Sequence, residues 1–320
     1  MKIIEDKIKD ICNRYNLSYD YILNCYNEEH RSYHNINHIY KMLKTAINSN
    51  ILNYDDLLLA ILYHDIVYNP KNNNNNELQS AEIYKQQIGD KFNTNVYNAI
   101  LGTSENYTGF HGRLVHQIRK LDRSILRTND FDEFIAYEKG IFKEYQYLDY
   151  NVYKTNRIDF LTKNNVDEKY INYVKYFQPK IGIYAGSFNP FHIGHYNILE
   201  KAENIFDKVI IAKGINITKI NSKIYELPYK ISNRQIIEYD GLLTDLIDSF
   251  GDDITLIRGL RNATDLQYEQ TQYRFMKDLK PDLKMVNIFC DVEYEHISSS
   301  SCSIKVLENY GRDVNKYLLL

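Results

Sequence analysis

Two histidines three positions apart, His192 and His195, follow directly on a turn of mostly small residues, Gly186-Ser187-Phe188-Asn189-Pro190. The turn closes an apolar run (Ile181, Ile183, Tyr184, Ala185) that predicts a buried strand. The residues beyond it (Tyr196, Ile198, Leu199, Ala202, Ile205) recur as one face of a helix. A strand, a glycine turn and a helix N-terminus hold anions well, because free backbone N–H groups and the helix dipole both favour negative charge there. Two imidazoles added at that spot point to chemistry on a phosphate. A second set lies in the N-terminal half. His34 and His38 are four apart, on one face if the stretch is helical, His64-Asp65 closes an apolar run, and Asp122 sits in a further helical pattern. Imidazoles mixed with carboxylates suit a hard or borderline divalent ion that activates water. His30, His111 and His116 fall outside both sets and read as ordinary core or surface histidines.

The elements that must position these residues differ between the halves. From Met1 to about Phe177 the pattern is helical throughout. The nearly all-apolar Leu57–Leu62 predicts a buried helix, and further helices are expected at Glu77–Ile88, Val96–Leu101, Leu114–Leu126, Phe131–Leu148 and Val152–Leu161. The asparagine run 72–76 reads as a solvated loop. Gln178-Pro179 disfavours helix and marks a hinge. Beyond it strands (Ile181–Ala185, Val209–Ala212, Ile236–Tyr239, Ile254–Ile257, Met285–Cys290) alternate with helices (His195–Ile205, Pro228–Asn233, Leu243–Ser249, Asp265–Leu279, Ser303–Asn309). That alternation predicts a doubly wound parallel sheet with helices on both faces and ligands at the carboxyl ends of the strands. The expected division is a helical domain over 1–165, a connecting helix and linker over 166–180, and an α/β domain over 181–320.

The 320 residues suffice for two cores, and 44% hydrophobic with 25% charged content is that of a soluble globular chain. A formal net charge of −3 supplies no basic field, which sets nucleic acid aside as a partner. The four scattered cysteines argue for a reducing compartment and against a disulfide framework. The charged start (Lys2 to Asp10) has no apolar core of a secretory leader, and no stretch approaches the roughly 20 apolar residues of a membrane span. A cytoplasmic location and no membrane partner are expected, and self-association stays open.

In the α/β half, four stretches fall where strands should end: Ser187 to His195, Lys219, Arg258-Gly259-Leu260-Arg261, and the serine run 298–301. In a doubly wound sheet such loops converge on one edge, and imidazoles, a lysine, arginines and a helix-capping serine cluster there suit a triphosphate. GSFNPFHIGH resembles the HxGH signature of the nucleotidyltransferase superfamily, with its Rossmann-like sheet. Together with IRGLR, Asp265, Tyr268, Glu269 and the serine run, it is similar to bacterial phosphopantetheine adenylyltransferases over nearly all of Lys180–Leu320. The resemblance implies His195 and His192 at the α-phosphate, Lys219 on the acceptor phosphate, and Arg258 on phosphates or acceptor. It implies Ser187, Phe188, Gly259, Arg261, Glu269, Ser300 and Ser301 as substrate contacts, with Mg2+ accompanying ATP. FNPFHxGH, with Asn189 and His192, is closer to nicotinamide mononucleotide adenylyltransferases, so the acceptor has two candidates, and the serine run aligns in more than one register.

In the helical half, Tyr33-His34-Asn35-Ile36-Asn37-His38, followed by HDIVYNP, NELQSAE and LDRSIL, resembles the HD superfamily of metal-dependent phosphohydrolases over roughly Asn27–Leu161. The resemblance implies His38, His64, Asp65 and Asp122 as ligands of a divalent transition metal or Mg2+. It implies His34 as the acid that protonates a leaving oxygen, with Glu77 as a support or second-metal contact. Nothing matches the nucleotide-selecting region of the phosphodiesterases, so cyclic nucleotides are not implied. The combined expectation is a bifunctional enzyme acting on ATP and a small phosphorylated acceptor. The alternative is a nicotinamide mononucleotide adenylyltransferase fused to a non-catalytic, regulatory HD domain.

Overall fold

The computed structural model describes residues 2–49, 55–72, 75–215, 225–251, 253–299 and 304–319. The chain divides into two compact units, Met1–Glu144 with Lys154–Lys175, and Tyr145–Tyr153 with Tyr176–Leu320.

Ahead of the first strand the described residues form helices and short 3₁₀ turns: α1 (Lys2–Tyr15), α2 (Tyr19–Tyr26), α3 (Ile36–Asn48), α4 (Asp55–Tyr63), α5 (Asn76–Ile88), α6 (Thr94–Leu101), α7 (Arg113–Asp122), α8 (Phe131–Glu144), α9 (Tyr150–Lys163) and α10 (Glu168–Tyr176). Every residue of α4 from Leu57 to Tyr63 is buried. A helix apolar all round can be stable only at the centre of a core, and Ile8 and Ile11 of α1, Ile39 and Leu43 of α3 and Val96 and Ile100 of α6 belong to the same core cluster. Phe134 of α8 stacks on Tyr170 of α10 at 4.2 Å between ring centroids. Two expected spans end early. The helix expected to Leu126 stops at Asp122 and tightens into a 3₁₀ turn over Arg123–Arg127, and the one expected to Leu148 stops at Glu144. Asn76, expected in a loop, opens α5 buried, its amide accepting from Asn69 N–H at 3.1 Å and donating to Asn69 C=O at 3.0 Å.

The second unit is a five-stranded parallel sheet of order β3-β2-β1-β4-β5, with β1 (Ile181–Gly186), β2 (Lys208–Gly214), β3 (Ile236–Tyr239), β4 (Ile254–Leu260) and β5 (Lys284–Phe289). Period-two alternation sends Tyr184, Ile211 and Ile257 into one apolar layer with Ile198, Leu199 and Ala202 of α11 (Ile193–Glu203). Ile183, Ile210 and Leu256 enter the opposite layer, with Ile247 of α12 (Leu243–Ser249) and Met276 of α13 (Ala263–Leu279). Helices on both faces make the sheet doubly wound. The helix expected at Pro228–Asn233 is only a 3₁₀ turn, Tyr229–Ile231, and α14 (Ile304–Asn309) is short. Among the described residues no helix is long and apolar enough to cross a membrane.

Leu199 is fully buried between α11 and the sheet. Leu199→Ala is expected to destabilise the α/β unit by about 2–5 kcal/mol in a denaturant titration, and a loss under about 1 kcal/mol would contradict this packing.

Candidate functional site

The strand order reverses between β1 and β4, where the crossovers leave the middle of the sheet in opposite directions and a crevice must open at the carboxyl ends. A cleft of about 480 Å³ lies there, lined by the turn after β1, the start of α11, the end of β4 and the start of α13. Beyond Gly186 the chain passes through Phe188, whose φ of +43° is the left-handed region that a bulky side chain rarely occupies. Burial holds it there: the ring lies 5.0 Å from Tyr184 and 5.3 Å from Phe191, and the His195 ring stands edge-on at 5.1 Å. The turn, whose Asn189–Pro190 bond is cis, is fixed from two further segments. Tyr225 N–H donates to Asn189 Oδ1 at 2.9 Å, and the Ser299 hydroxyl donates to Pro190 C=O at 2.9 Å.

His192 is the N-cap of α11 and His195 its third residue. Each imidazole Nδ1 accepts the other residue's backbone N–H at 3.3 Å, and the rings stack at 3.6 Å and 19°. This is a capping box built from imidazoles, where a hydroxyl and a carboxylate usually serve. Because Nδ1 accepts, a neutral ring carries its proton on Nε2. Burial, reinforced by Arg261, brings the His192 pKa down to about 4, and burial with the charge of His192 and Arg261 holds His195 well below its ordinary value. Both rings are therefore neutral N–H donors at pH 7. Gly194 permits the stack, since a Cβ there would lie 3.1 Å from His192 Cε1 and Nδ1.

Across the cleft, a Cβ on Gly259 would meet Ile198 Cγ1 at 3.1 Å and Tyr184 Oη at 3.2 Å. Both arginines of the Arg-Gly-Leu-Arg stretch are engaged. Arg258 donates twice to Glu269 at 2.7 Å and once to Ala185 C=O at 2.8 Å, and Arg261 grips Asp265 at 2.8 and 2.9 Å. Of the residues singled out from sequence, Ser187, His192, His195, Gly259, Arg261 and Glu269 line the cleft. Phe188 supports it from beneath, and Arg258 stands behind Glu269. Lys219, Ser300 and Ser301 lie outside the described residues. Tyr184, Tyr294 and Ile297 also line the cleft and were not singled out as site residues, since an apolar position on a strand or turn carries no sign of which edge it reaches.

In the helical unit, His38, His64, Asp65 and Asp122 each offer one ligand atom, all within 4.8 Å of one another. His38 comes from the first turn of α3, His64 and Asp65 from just past α4, and Asp122 from the last residue of α7. His38 Nε2 lies 3.2 Å from Asp122 Oδ1, and His64 Nε2 lies 3.0 Å from Asp65 Oδ2 and 3.8 Å from Asp122 Oδ1. Yet both Nε2 atoms are buried without a hydrogen-bond partner. Buried polar atoms in that condition are costly, and four lone-pair donors converging on one point is the arrangement a cation resolves. His64 Nδ1 donates to Ile61 C=O at 2.9 Å, which leaves the Nε2 lone pair for the ion. The residues present thus fit a divalent metal. Glu77, near the start of α5, is half-buried, and burial with Asp65 and Asp122 nearby pushes its carboxyl above the ordinary range.

His34 does not share a helix with His38. Asn35 caps α3, and His34 lies in the loop before it. It is placed instead by Glu144, a residue that sequence reasoning missed. Glu144 Oε1 accepts the backbone N–H groups of Ser32, Tyr33 and His34 at 2.9, 2.7 and 2.8 Å, while Oε2 accepts His34 Nδ1–H at 2.7 Å and the Tyr68 hydroxyl at 2.8 Å. The Tyr68 ring stacks on His34 at 4.3 Å. Burial alone pushes His34 down and Glu144 up, but their mutual charge and hydrogen bonds override it, so His34 is raised and Glu144 lowered.

The doubly wound sheet and its switch-point cleft define the class: residues 183–303 match the cytidylyltransferase-like family. Phosphopantetheine adenylyltransferase of Mycoplasma capricolum subsp. capricolum is 38% identical over 141 residues, covering 42% of this chain and 99% of that protein. The enzymes of the same name from Mycoplasma mycoides subsp. mycoides (37% over 141 residues, 42% and 99% covered) and Clostridium botulinum (31% over 140 residues, 41% and 86% covered) are similar in the same way. Through this C-terminal half the chain belongs to the phosphopantetheine adenylyltransferase-like nucleotidyltransferase family.

The Glu144–His34 pair makes a pH-dependent prediction. A depressed carboxylate contributes fully above its ordinary 4.5 and loses that contribution as pH falls through its lowered folded value. A raised imidazole contributes fully below its ordinary 6.5 and loses it as pH rises through its raised folded value. Glu144→Gln, which breaks a buried pair, is expected to cost the helical unit about 3–5 kcal/mol. The gap from wild type should be widest between the two ordinary values and narrow on either side. Denaturant titrations across that range check it, and a pH-independent gap would contradict the pairing.

Proposed function

We propose that the chain is bifunctional: its C-terminal domain transfers AMP from Mg·ATP to 4′-phosphopantetheine, giving dephospho-coenzyme A and pyrophosphate, and its N-terminal domain hydrolyses a phosphate ester or anhydride at a divalent metal. The observation that carries the first activity is the pair of neutral imidazole N–H donors at the N-terminus of α11, in a cleft bounded by the ends of β1 and β4. In the transfer an oxygen of the acceptor phosphate bonds to the α-phosphorus, and the bond to the β-bridging oxygen breaks. The protein supplies no nucleophile. His195 and His192 donate to the oxygens on which charge grows, and the helix end adds its dipole. Lys219 holds the acceptor phosphate. Arg258, Arg261, Glu269 and Ser187 shape and orient the nucleotide and acceptor subsites, with Phe188 beneath and Gly259, Ser300 and Ser301 on the ATP side.

In the N-terminal domain, which we read as a member of the HD superfamily, His38, His64, Asp65 and Asp122 hold the ion. When bound, that ion supplies Lewis acidity toward a phosphate oxygen and lowers the pKa of water. His34, whose charged form Glu144 favours, passes a proton to the leaving oxygen, and Glu144 keeps the ring aimed. This reading is supported by the ligand geometry and by the unpartnered Nε2 atoms.

Incubation with Mg·ATP and each acceptor separately tests the first activity, with product formation resolved by acceptor. Dephospho-coenzyme A is the expected product, and turnover of nicotinamide mononucleotide alone would overturn the assignment. His195→Ala should lower transfer by about 10²–10³-fold and leave metal-dependent phosphohydrolysis intact. Asp65→Ala should do the reverse. Loss of both activities in either folded variant would contradict two independent sites.

A further inference from the structure

Arg31 has a side chain with no solvent exposure, and its partners are mostly backbone oxygens. Nη1 donates to Asp65 C=O at 2.6 Å and His34 C=O at 3.2 Å, Nη2 donates to Ile66 C=O at 3.0 Å, and Nε donates to Glu28 Oε2 at 2.8 Å. The Tyr26 and Tyr68 rings lie 5.1 and 5.6 Å from the guanidinium carbon. The carbonyls it serves are those the local backbone leaves open. Helix α4 ends at Tyr63, so the turn carrying Asp65 and Ile66 has no following helical turn to bond it, and His34 lies ahead of the α3 cap. One planar cation thus joins the loop that bears the metal-ligating Asp65 to the loop that bears His34.

We propose that Arg31 is a positioning residue that sets the metal centre by fixing the main chain of Asp65 relative to that of His34, and that only a guanidinium spans these carbonyls. This rests on reading the His38/His64/Asp65/Asp122 cluster as a metal site. A lysine keeps the charge but is a compact ammonium without the planar fork, so it cannot hold three carbonyls and a carboxylate in this geometry. Outer partners of metal ligands typically control affinity by 10–100-fold.

The test is titration of the full-length chain with Co2+ alone, followed by its visible absorption, for wild type, Arg31→Lys, Arg31→Gln and the core control Ile8→Ala. The expected result is a single Co2+ site in wild type, affinity 10–100-fold weaker with an altered absorption band in both Arg31 variants, and unchanged affinity and band in the folded fraction of Ile8→Ala. AMP transfer should stay at the wild-type level in all four, reporting that the α/β unit is intact, while far-ultraviolet circular dichroism reports that the helical unit is folded. Should Arg31→Gln fail to fold, Arg31→Lys decides. Wild-type affinity and band in Arg31→Lys would overturn the positioning role, leaving Arg31 as ordinary core. A wild-type chain that binds no Co2+ would overturn the metal reading itself, and the proposal with it.

Discussion

Both sites depend on which nitrogen of a buried imidazole carries the proton. At the start of α11, His192 and His195 use Nδ1 to accept each other's backbone N–H groups, so their Nε2 atoms are donors. In the helical unit, His64 gives its Nδ1 proton to Ile61 C=O, so its Nε2 is a lone pair. The same side chain thus presents a donor N–H to the cleft in one unit and a lone pair to the metal-binding cluster in the other, and in each case a backbone group makes the choice. Burial lowers the pKa of both His192 and His195, which favours their uncharged forms.

Charges wholly or partly withdrawn from solvent organise the same loops. Glu144 gathers three backbone N–H groups, one imidazole and one phenol, while Arg258 is tied between Glu269 and the last turn of β1. In each case the charge is satisfied by several partners at once, which is the condition under which a buried ion is tolerated. These networks set loop geometry, and loop geometry sets the sites.

Much of this was legible from residue type and spacing. Period-two apolar runs marked all five strands, the change of pattern after Gln178-Pro179 marked the passage from helices to sheet, and histidines mixed with aspartates marked a candidate metal site, with the resemblance to the HD superfamily implying the four residues that the fold brings together. What escaped was long-range pairing. Glu144 lies 110 positions from His34, at the end of a helix whose sequence gives no reason to single it out. Arg258 reads as a free cation until the fold brings Glu269 to it. The four-residue spacing of His34 and His38 suggested a shared helix face, but Asn35 caps α3 between them, so proximity arises through Glu144 instead. Pro228–Asn233 carries helix-like residues over too short a span to nucleate more than a 3₁₀ turn.

The central claim is that one chain carries a metal centre and a separate nucleotide cleft, each built as described. The most direct measurement is a crystal structure of the full chain grown with Mn2+ and a non-hydrolysable ATP analogue, with the metal located by anomalous scattering. The account predicts Mn2+ on His38, His64, Asp65 and Asp122, and the triphosphate at the N-terminus of α11, within hydrogen-bond reach of His192 and His195 Nε2. Nucleotide seated away from that helix end, or a helical unit that leaves its four ligands without metal at saturating Mn2+, would contradict it.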